Sequence, residues 1–232
     1  MKNTLFISLI LLSSSANIVS MESNQSVEYA KGTIGHNDAF YSADGWGREP
    51  ITAHLNVPGQ IIGAIFPPPA PELSITAMVD RTPIGQRNCN LWQAFLNQLP
   101  KNLAAATQQS TSDGVKKFAE ILQRVHDVES TTLLNEFKRR NIPLHAIAHN
   151  AGLMVLKQYQ SKGIGNQLQY ESIQLLKEKG IQAIVSETTN KNSAKIMEKQ
   201  GFIKFEEFSY AKDFQITGID DFYTIWFKDL NS

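Results

Sequence analysis

Gly152-Leu153-Met154-Val155-Leu156-Lys157-Gln158-Tyr159-Gln160-Ser161-Lys162-Gly163-Ile164-Gly165 is the stretch on which the reading of this chain turns. Leu153 to Leu156 is a short apolar run that suits a strand, and the periodicity from Ile164 to about Lys179 predicts a helix. Between them, Gly163 and Gly165 let the backbone come close to a ligand, and the first N–H groups of the helix have no partner inside it. Strand, glycine turn and helix in this order make an anion site. A dinucleotide fingerprint would need a third glycine two residues on, and a P-loop would need Gly-Lys-Ser/Thr. Neither is present. An apolar strand over Ile181 to Val185 is expected next, followed by a helix from Asn190 through Gln200 that stops at Gly201-Phe202.

The 232 residues are 42% hydrophobic, enough for one sizeable core, so a single domain over 21–232 is expected. Lys and Arg number 22, as do Asp and Glu, and that balance gives a nucleic-acid partner no footing. Cys89 is the one cysteine and cannot form an intrachain disulfide. Residues 1–20 have the charged start, apolar middle and small-residue end of a secretory signal and are too short for a transmembrane helix. Export is the expectation, or a cytoplasmic protein if Met21 is the true start. His145 and His149 are expected on one face of a strand near the cleft. A metal would need a further ligand, which the sequence does not offer, so no metal is expected.

Outward from the central stretch, the pattern is α/β. Val27 to Ala30 reads as a first strand, and Ile61, Ile62, Ile65 and Phe66 as one face of a helix that Pro67-Pro68-Pro69-Ala70-Pro71 ends. Leu73 to Asp80 and Ile84 to Asn88 form a hairpin. Two helices are then expected, one carrying Val115, Phe118, Ile121, Leu122 and Val125, the other Leu133, Leu134 and Phe137 after a Ser130 cap, with Ser110 to Asp113 as linker. Asn141-Ile142-Pro143 stops the second helix, and Leu144 to Leu156 becomes the central strand.

Gln160, Gly163 and Gly165 in this setting resemble motif A of the GNAT superfamily of acetyl-CoA-dependent N-acetyltransferases, whose loop reads Gln/Arg-x-x-Gly-x-Gly/Ala. Glu49-Pro50-Ile51-Thr52, the two-helix insertion and Ser193-Ala194-Lys195-Ile196-Met197-Glu198-Lys199-Gln200-Gly201-Phe202 are similar to the arylalkylamine N-acetyltransferases of the dopamine-acetylating, invertebrate type. The resemblance implies the GNAT fold, a mixed central β-sheet flanked by helices, with a helical insertion between strands 3 and 4. It implies acetyl-CoA as cosubstrate and a small-molecule primary amine, an arylalkylamine, as acceptor; a monomer is the expectation.

Carried over residue by residue, the resemblance gives the cofactor to the backbone of Met154 and Val155, to the loop Gln160, Ser161, Lys162, Gly163, Ile164 and Gly165, and to Asn190. It makes Glu49 the general base and Ser193 the proton donor to the departing thiolate, with Thr189 as a second hydroxyl. Both hydroxyls can equally be read as helix caps. Glu187, at the end of the fifth strand, is a second base candidate. Two departures stand out: Met197 occupies the place of a tyrosine that many GNAT enzymes carry, and Arg48 that of the family's usual aspartate. Alternative readings are a CoA-binding or protein-binding module without catalysis, and an acetyltransferase for polyamines or protein amines.

Overall fold

The computed structural model describes residues 19–20, 26–32 and 50–231. Arg48 and Glu49, the aromatic residues of the 33–49 passage and the signal-like segment up to residue 18 therefore lie outside the described residues. Among the described residues the strands are β1 (Ser26–Lys31), β2 (Ile75–Val79), β3 (Thr82–Leu91), β4 (Ile147–Val155), β5 (Ala183–Thr188), β6 (Ile203–Ser209) and β7 (Phe222–Asp229). With the two-residue stretch Val19–Ser20 at one edge they form one sheet in the order β1-β2-β3-β4-β5-β7-β6. Every neighbouring pair is antiparallel except β4 and β5, which run parallel.

The β4–β5 pairing is short, and it positions the site. It covers only Ile147 to Asn150 against Ala183 to Ser186. On its other side β4 pairs with β3, where Asn150 faces Cys89 but Gly152 faces Asn88, so Ala151 is one residue too many. Such a bulge bends its strand and increases the local twist. β4 therefore leaves β5 just beyond Asn150, while β5 continues against β7 to Thr188. A fork opens between them.

Helices α1 (Pro50–His54) and α2 (Gly59–Ile65) precede the β2–β3 hairpin. Between β3 and β4 comes the helical insertion: α3 (Trp92–Gln109), α4 (Asp113–Val128) and α5 (Leu134–Arg139). Ser112 starts α4 by accepting the N–H of Val115. α6 (Ile164–Glu178) follows β4, α7 (Lys191–Lys199) follows β5, and the single turn α8 (Tyr210–Asp213) follows β6. The insertion covers one face of the sheet, where Trp92, Phe95, Phe118, Leu122 and Phe137 bury with Ile147, Val185, Ile225 and Phe227. α6 covers the other, laying Ile164, Leu168 and Leu175 on Val27, Ile75 and Ile84.

The mixed sheet, the hairpin and the insertion between strands 3 and 4 agree with the sequence reading; three local expectations do not. The insertion holds a further 18-residue helix, α3, whose Trp92, Phe95, Leu99, Leu103 and Ala106 are buried at helical spacing despite Pro100 inside it. Ser130 caps nothing: Glu129–Leu133 winds as a π-turn that joins α4 to α5 without a break. The central strand begins at Ile147, because Leu144–Ala146 is a 3-10 turn. His145 thus stands exposed on that turn, while His149 is fully buried in β4, so the two do not share a strand face.

Candidate active site

A cleft of about 1140 Å³ runs from the start of α6 along β4 to the floor of the fork. At its outer end Gly163 has φ 82 and ψ −6, a left-handed conformation that side chains resist, and it caps α6. A Cβ built on Gly163 meets nothing within 4 Å, so a side chain there would stand in the space where a ligand approaches the backbone. The first turn of α6 holds no acidic residue. Its free N–H groups and helix dipole favour negative charge. Lys162, unlike its neighbours in the loop, does not line the cleft; its ammonium lies 5.5 Å from the Tyr159 ring centroid.

Gly165 serves a different purpose. A Cβ there would lie 3.4 Å from Ile196 Cδ1 and 3.8 Å from both Leu153 and Val155, so the glycine lets α6 pack closely on α7 and β4. Gln160 turns inward to donate to the Val155 carbonyl at 2.9 Å, and Ser161, at φ 62, completes the sharp turn. Gln160, Ser161, Gly163, Ile164, Gly165, Met154 and Val155 all line the cleft. Beyond the bulge β4 has no β5 partner, and alternate backbone groups of its edge point into the gap.

The far wall is the start of α7. Asn190 caps it, its Oδ1 accepting the N–H groups of Asn192 and Ser193 at 3.0 Å each. The Ser193 hydroxyl donates to the Asn190 carbonyl at 3.1 Å. Both residues line the cleft, as does Thr189, whose carbonyl accepts from the Tyr210 hydroxyl at 3.4 Å. Met197 is buried against the same wall.

The fork floor holds the strongest electrostatics. Glu187 lines the cleft with a side chain only 8% exposed, and His149 Nε2 lies 2.8 and 3.0 Å from its two oxygens. Since an ionised carboxylate only accepts, Nε2 carries the hydrogen. Phe95 stacks on this imidazole at 3.9 Å between ring centroids. Burial alone would raise Glu187, but His149, a hydrogen bond from Glu129 and the Arg87 charge hold it below the usual carboxylate range.

Glu129, fully buried at the start of the π-turn, is pushed well above that range by burial and by Glu187. Its Oε2 accepts from Trp92 Nε1 at 3.3 Å, while Oε1 has no hydrogen-bond partner. The direction of that shift favours the protonated form of Glu129 beside the Glu187 carboxylate. The π-turn that replaces the expected cap is what aims this acid at the fork. No group of three or more His, Cys, Asp or Glu among the described residues is arranged to hold a metal ion.

Glu129 and Arg87 were not singled out from the sequence. Glu129 had left a signal: Val125, Glu129 and Leu133 continue the four-residue spacing of the apolar face of α4, so an acid sits on a buried stripe. On the side of the insertion the cleft is lined by apolar residues, with Ile62 and Phe66 near α2, Phe118 and Leu122 from α4, and Tyr223. A smaller annex of about 80 Å³ lies under Phe66 and Pro67 to Pro69, closed by Asn88 and Ala151.

With the fork, the glycine turn and the capped helix in place, comparison with known proteins is decisive for the fold. The Acetyltransferase (GNAT) family profile matches residues 137–202, from α5 to the end of the α7 turn. The structure superimposes on arylalkylamine N-acetyltransferase 2 from Aedes aegypti with a TM-score of 0.62, at 17% identity, covering 88% of this chain and 99% of that one. The chain has the GNAT fold. A polyamine N-acetyltransferase from Drosophila melanogaster that forms N-acetylagmatine shares this GNAT architecture at TM-score 0.61 and 13% identity, over 88% of this chain and 99% of that one. The C-terminal condensation domain of Ebony, solved with β-alanyl-dopamine, does so at TM-score 0.57 and 10% identity, with the same coverage. No curated protein matches the chain by sequence. Among the described residues, no helix is long and apolar enough to cross a membrane.

Proposed function

We propose that this chain transfers the acetyl group of acetyl-CoA to a primary amine, and that a small arylalkylamine is the acceptor. One observation carries the reading: a single cleft joins the anion cradle at Gly163, the open edge of β4 and a fork floor where the Glu187 carboxylate meets an apolar wall. The residues fit the group. N–H groups at the start of α6 suit its phosphates, and the β4 backbone around Met154 and Val155 suits its amide-bearing arm. Bound there, acetyl-CoA supplies an activated acetyl group.

The chain's own residues have three tasks. An alkylammonium is protonated at neutral pH, so a base must take its proton. The Glu-Pro resemblance proposes Glu49. Glu187 is the second reading, favoured because it is ionised, lines the cleft and is held by His149. Backbone N–H groups of the β4 edge would stabilise charge on the acetyl oxygen in the tetrahedral transition state, and holding both reactants in one cleft supplies rate of its own. Ser193, to protonate the thiolate, must first give up its bond to the Asn190 carbonyl. Thr189 beside it is the other hydroxyl at that wall.

Ile62, Phe66, Phe118 and Leu122, with the annex beneath Phe66, favour an acceptor with an aromatic or alkyl body. A polyamine would ask for further anionic groups. Asp220 is paired with Lys191 Nζ at 2.9 Å, and Asp221 accepts the Lys191 N–H at 3.0 Å, so neither is idle. Release of CoA from acetyl-CoA, followed across arylalkylamines, polyamines and peptides, tests the proposal. Turnover restricted to arylalkylamines is expected. Preference for polyamines would move the acceptor class, and tight CoA binding with no turnover on any amine would mean a binding module.

A further inference from the structure

β3 reads Gly85-Gln86-Arg87-Asn88-Cys89-Asn90, a polar run at the centre of a sheet, and every one of these residues is buried. Its two faces separate by alternation. A Cβ on Gly85 would meet Leu168 of α6, and the Cys89 thiol lies 3.4 Å from Ser172 of α6, so Gly85, Arg87 and Cys89 look toward α6. Glu187 looks the other way, toward the insertion, with His149 and Phe95.

Arg87 is 2% exposed and makes no ion pair among the described residues. Nη2 donates to the Ser186 hydroxyl at 3.0 Å, Nε has no hydrogen-bond partner, and the residue lines the cleft. Ser186 is the last residue of β5 that pairs with β4, so this bond pins the guanidinium at the floor of the fork. Burial pulls Arg87 down to about 10, and the titratable groups acting on it, Cys89 and Glu187, only partly offset that. A buried cation with an idle donor is costly unless something anionic completes it. At the adjoining wall Met197 has no proton to give and the Ser193 hydroxyl is committed to Asn190.

We propose that Arg87 is a catalytic residue that holds the sulfur of the departing coenzyme A as a thiolate. The inference rests on the reading above, in which the coenzyme's arm follows β4 to the fork. The amine nitrogen bonds to the acetyl carbon, and its proton goes to the glutamate base. The carbon–sulfur bond then breaks and its electron pair stays on sulfur beside the guanidinium. The thiolate takes a proton from water after release. Arg87 faces the donor side of the fork and Glu187 the acceptor side, so the two charges attend to opposite ends of one transfer.

The test needs no amine. Free coenzyme A and desulfo-coenzyme A are bound in turn to the wild-type chain, to Arg87→Met and to Arg87→Lys, with thermal melts confirming that each variant folds. The pKa of the bound thiol is read from thiolate absorbance. In the wild type it should lie roughly 1 to 3 below that of the free coenzyme, the usual effect of a close opposite charge. It should return to the free value in Arg87→Met and stay lowered in Arg87→Lys. Desulfo-coenzyme A has no thiol and should bind all three within about twofold, a difference well under 1 kcal/mol. An unshifted thiol in the wild type, or the same shift in Arg87→Met, overturns the role of Arg87 while leaving cofactor binding intact. Failure of the wild type to bind either coenzyme takes down the acetyltransferase reading itself, and this inference with it.

Discussion

Replacing Glu129 by Gln keeps the shape of a buried acid and removes its proton exchange. Glu129 sits fully buried between Trp92 Nε1 and the Glu187 carboxylate. Burial first, and Glu187 second, raise it well above its ordinary value of 4.5. The unfolded chain releases this proton near 4.5, so above that pH folding takes one up. A raised folded value contributes stability that is full below the unfolded value and is lost as pH climbs toward the folded one. One proton is worth about 1.4 kcal/mol per pH unit. Above about pH 5, for as long as Glu129 keeps its proton in the folded state, the wild type should therefore lose about 1.4 kcal/mol per pH unit relative to Glu129→Gln, whose amide does not titrate. Glu187 does not mask this, because its depressed value gives stability that is lost only on acidification below the ordinary carboxylate range. Guanidinium denaturation of both proteins at several pH values, extrapolated to water, measures the difference. Parallel curves would mean that Glu129 is ionised in the folded state, and the raised value would be wrong.

Three further outcomes are expected. Gly163→Val should weaken coenzyme A binding strongly in calorimetry while Gly165→Ala weakens it little, because only the first adds a side chain at positive φ in the open cradle. Glu49→Gln should leave cofactor affinity unchanged and lower turnover by roughly two to four powers of ten, least at high pH where free amine is abundant. The same loss in Glu187→Gln with Glu49→Gln active would move the base to β5. N-terminal sequencing of the protein from its own cells should find the mature start near Asn17 or Met21 if the signal-like segment is removed, and an intact Met1 would contradict export.

The central strand, glycine turn and helix were legible because local chemistry dictates them: Gly163 needs positive φ, and Asn190 has the side chain to cap α7. The hairpin and the insertion's place were legible from alternation and spacing. α3 was hidden because Pro100 and a polar run of Asn, Gln and Thr blunt its apolar stripe, although Trp92, Phe95, Leu99 and Leu103 keep the period. Ser130 looked like a cap because serine favours caps, yet the helix runs through it as a π-turn, and that error concealed Glu129. Arg87 could not be placed from its neighbours. Its role depends on a bulge at Ala151, 64 positions away in sequence by simple subtraction, and on a bond to Ser186 that only the assembled sheet creates. Local pattern locates the phosphate end of such a cleft, whereas tertiary pairing builds its reacting end.

The claim that everything else rests on is that the cleft between α6, β4 and α7 holds acetyl-CoA. Amide hydrogen exchange with and without saturating acetyl-CoA tests it most directly, since the open edge of β4 and the first turn of α6 carry exchangeable N–H groups that the cosubstrate would cover. Slowed exchange concentrated at Leu153 to Val155 and Gly163 to Asn166 is the predicted result. Binding with protection elsewhere, or no binding, would contradict it.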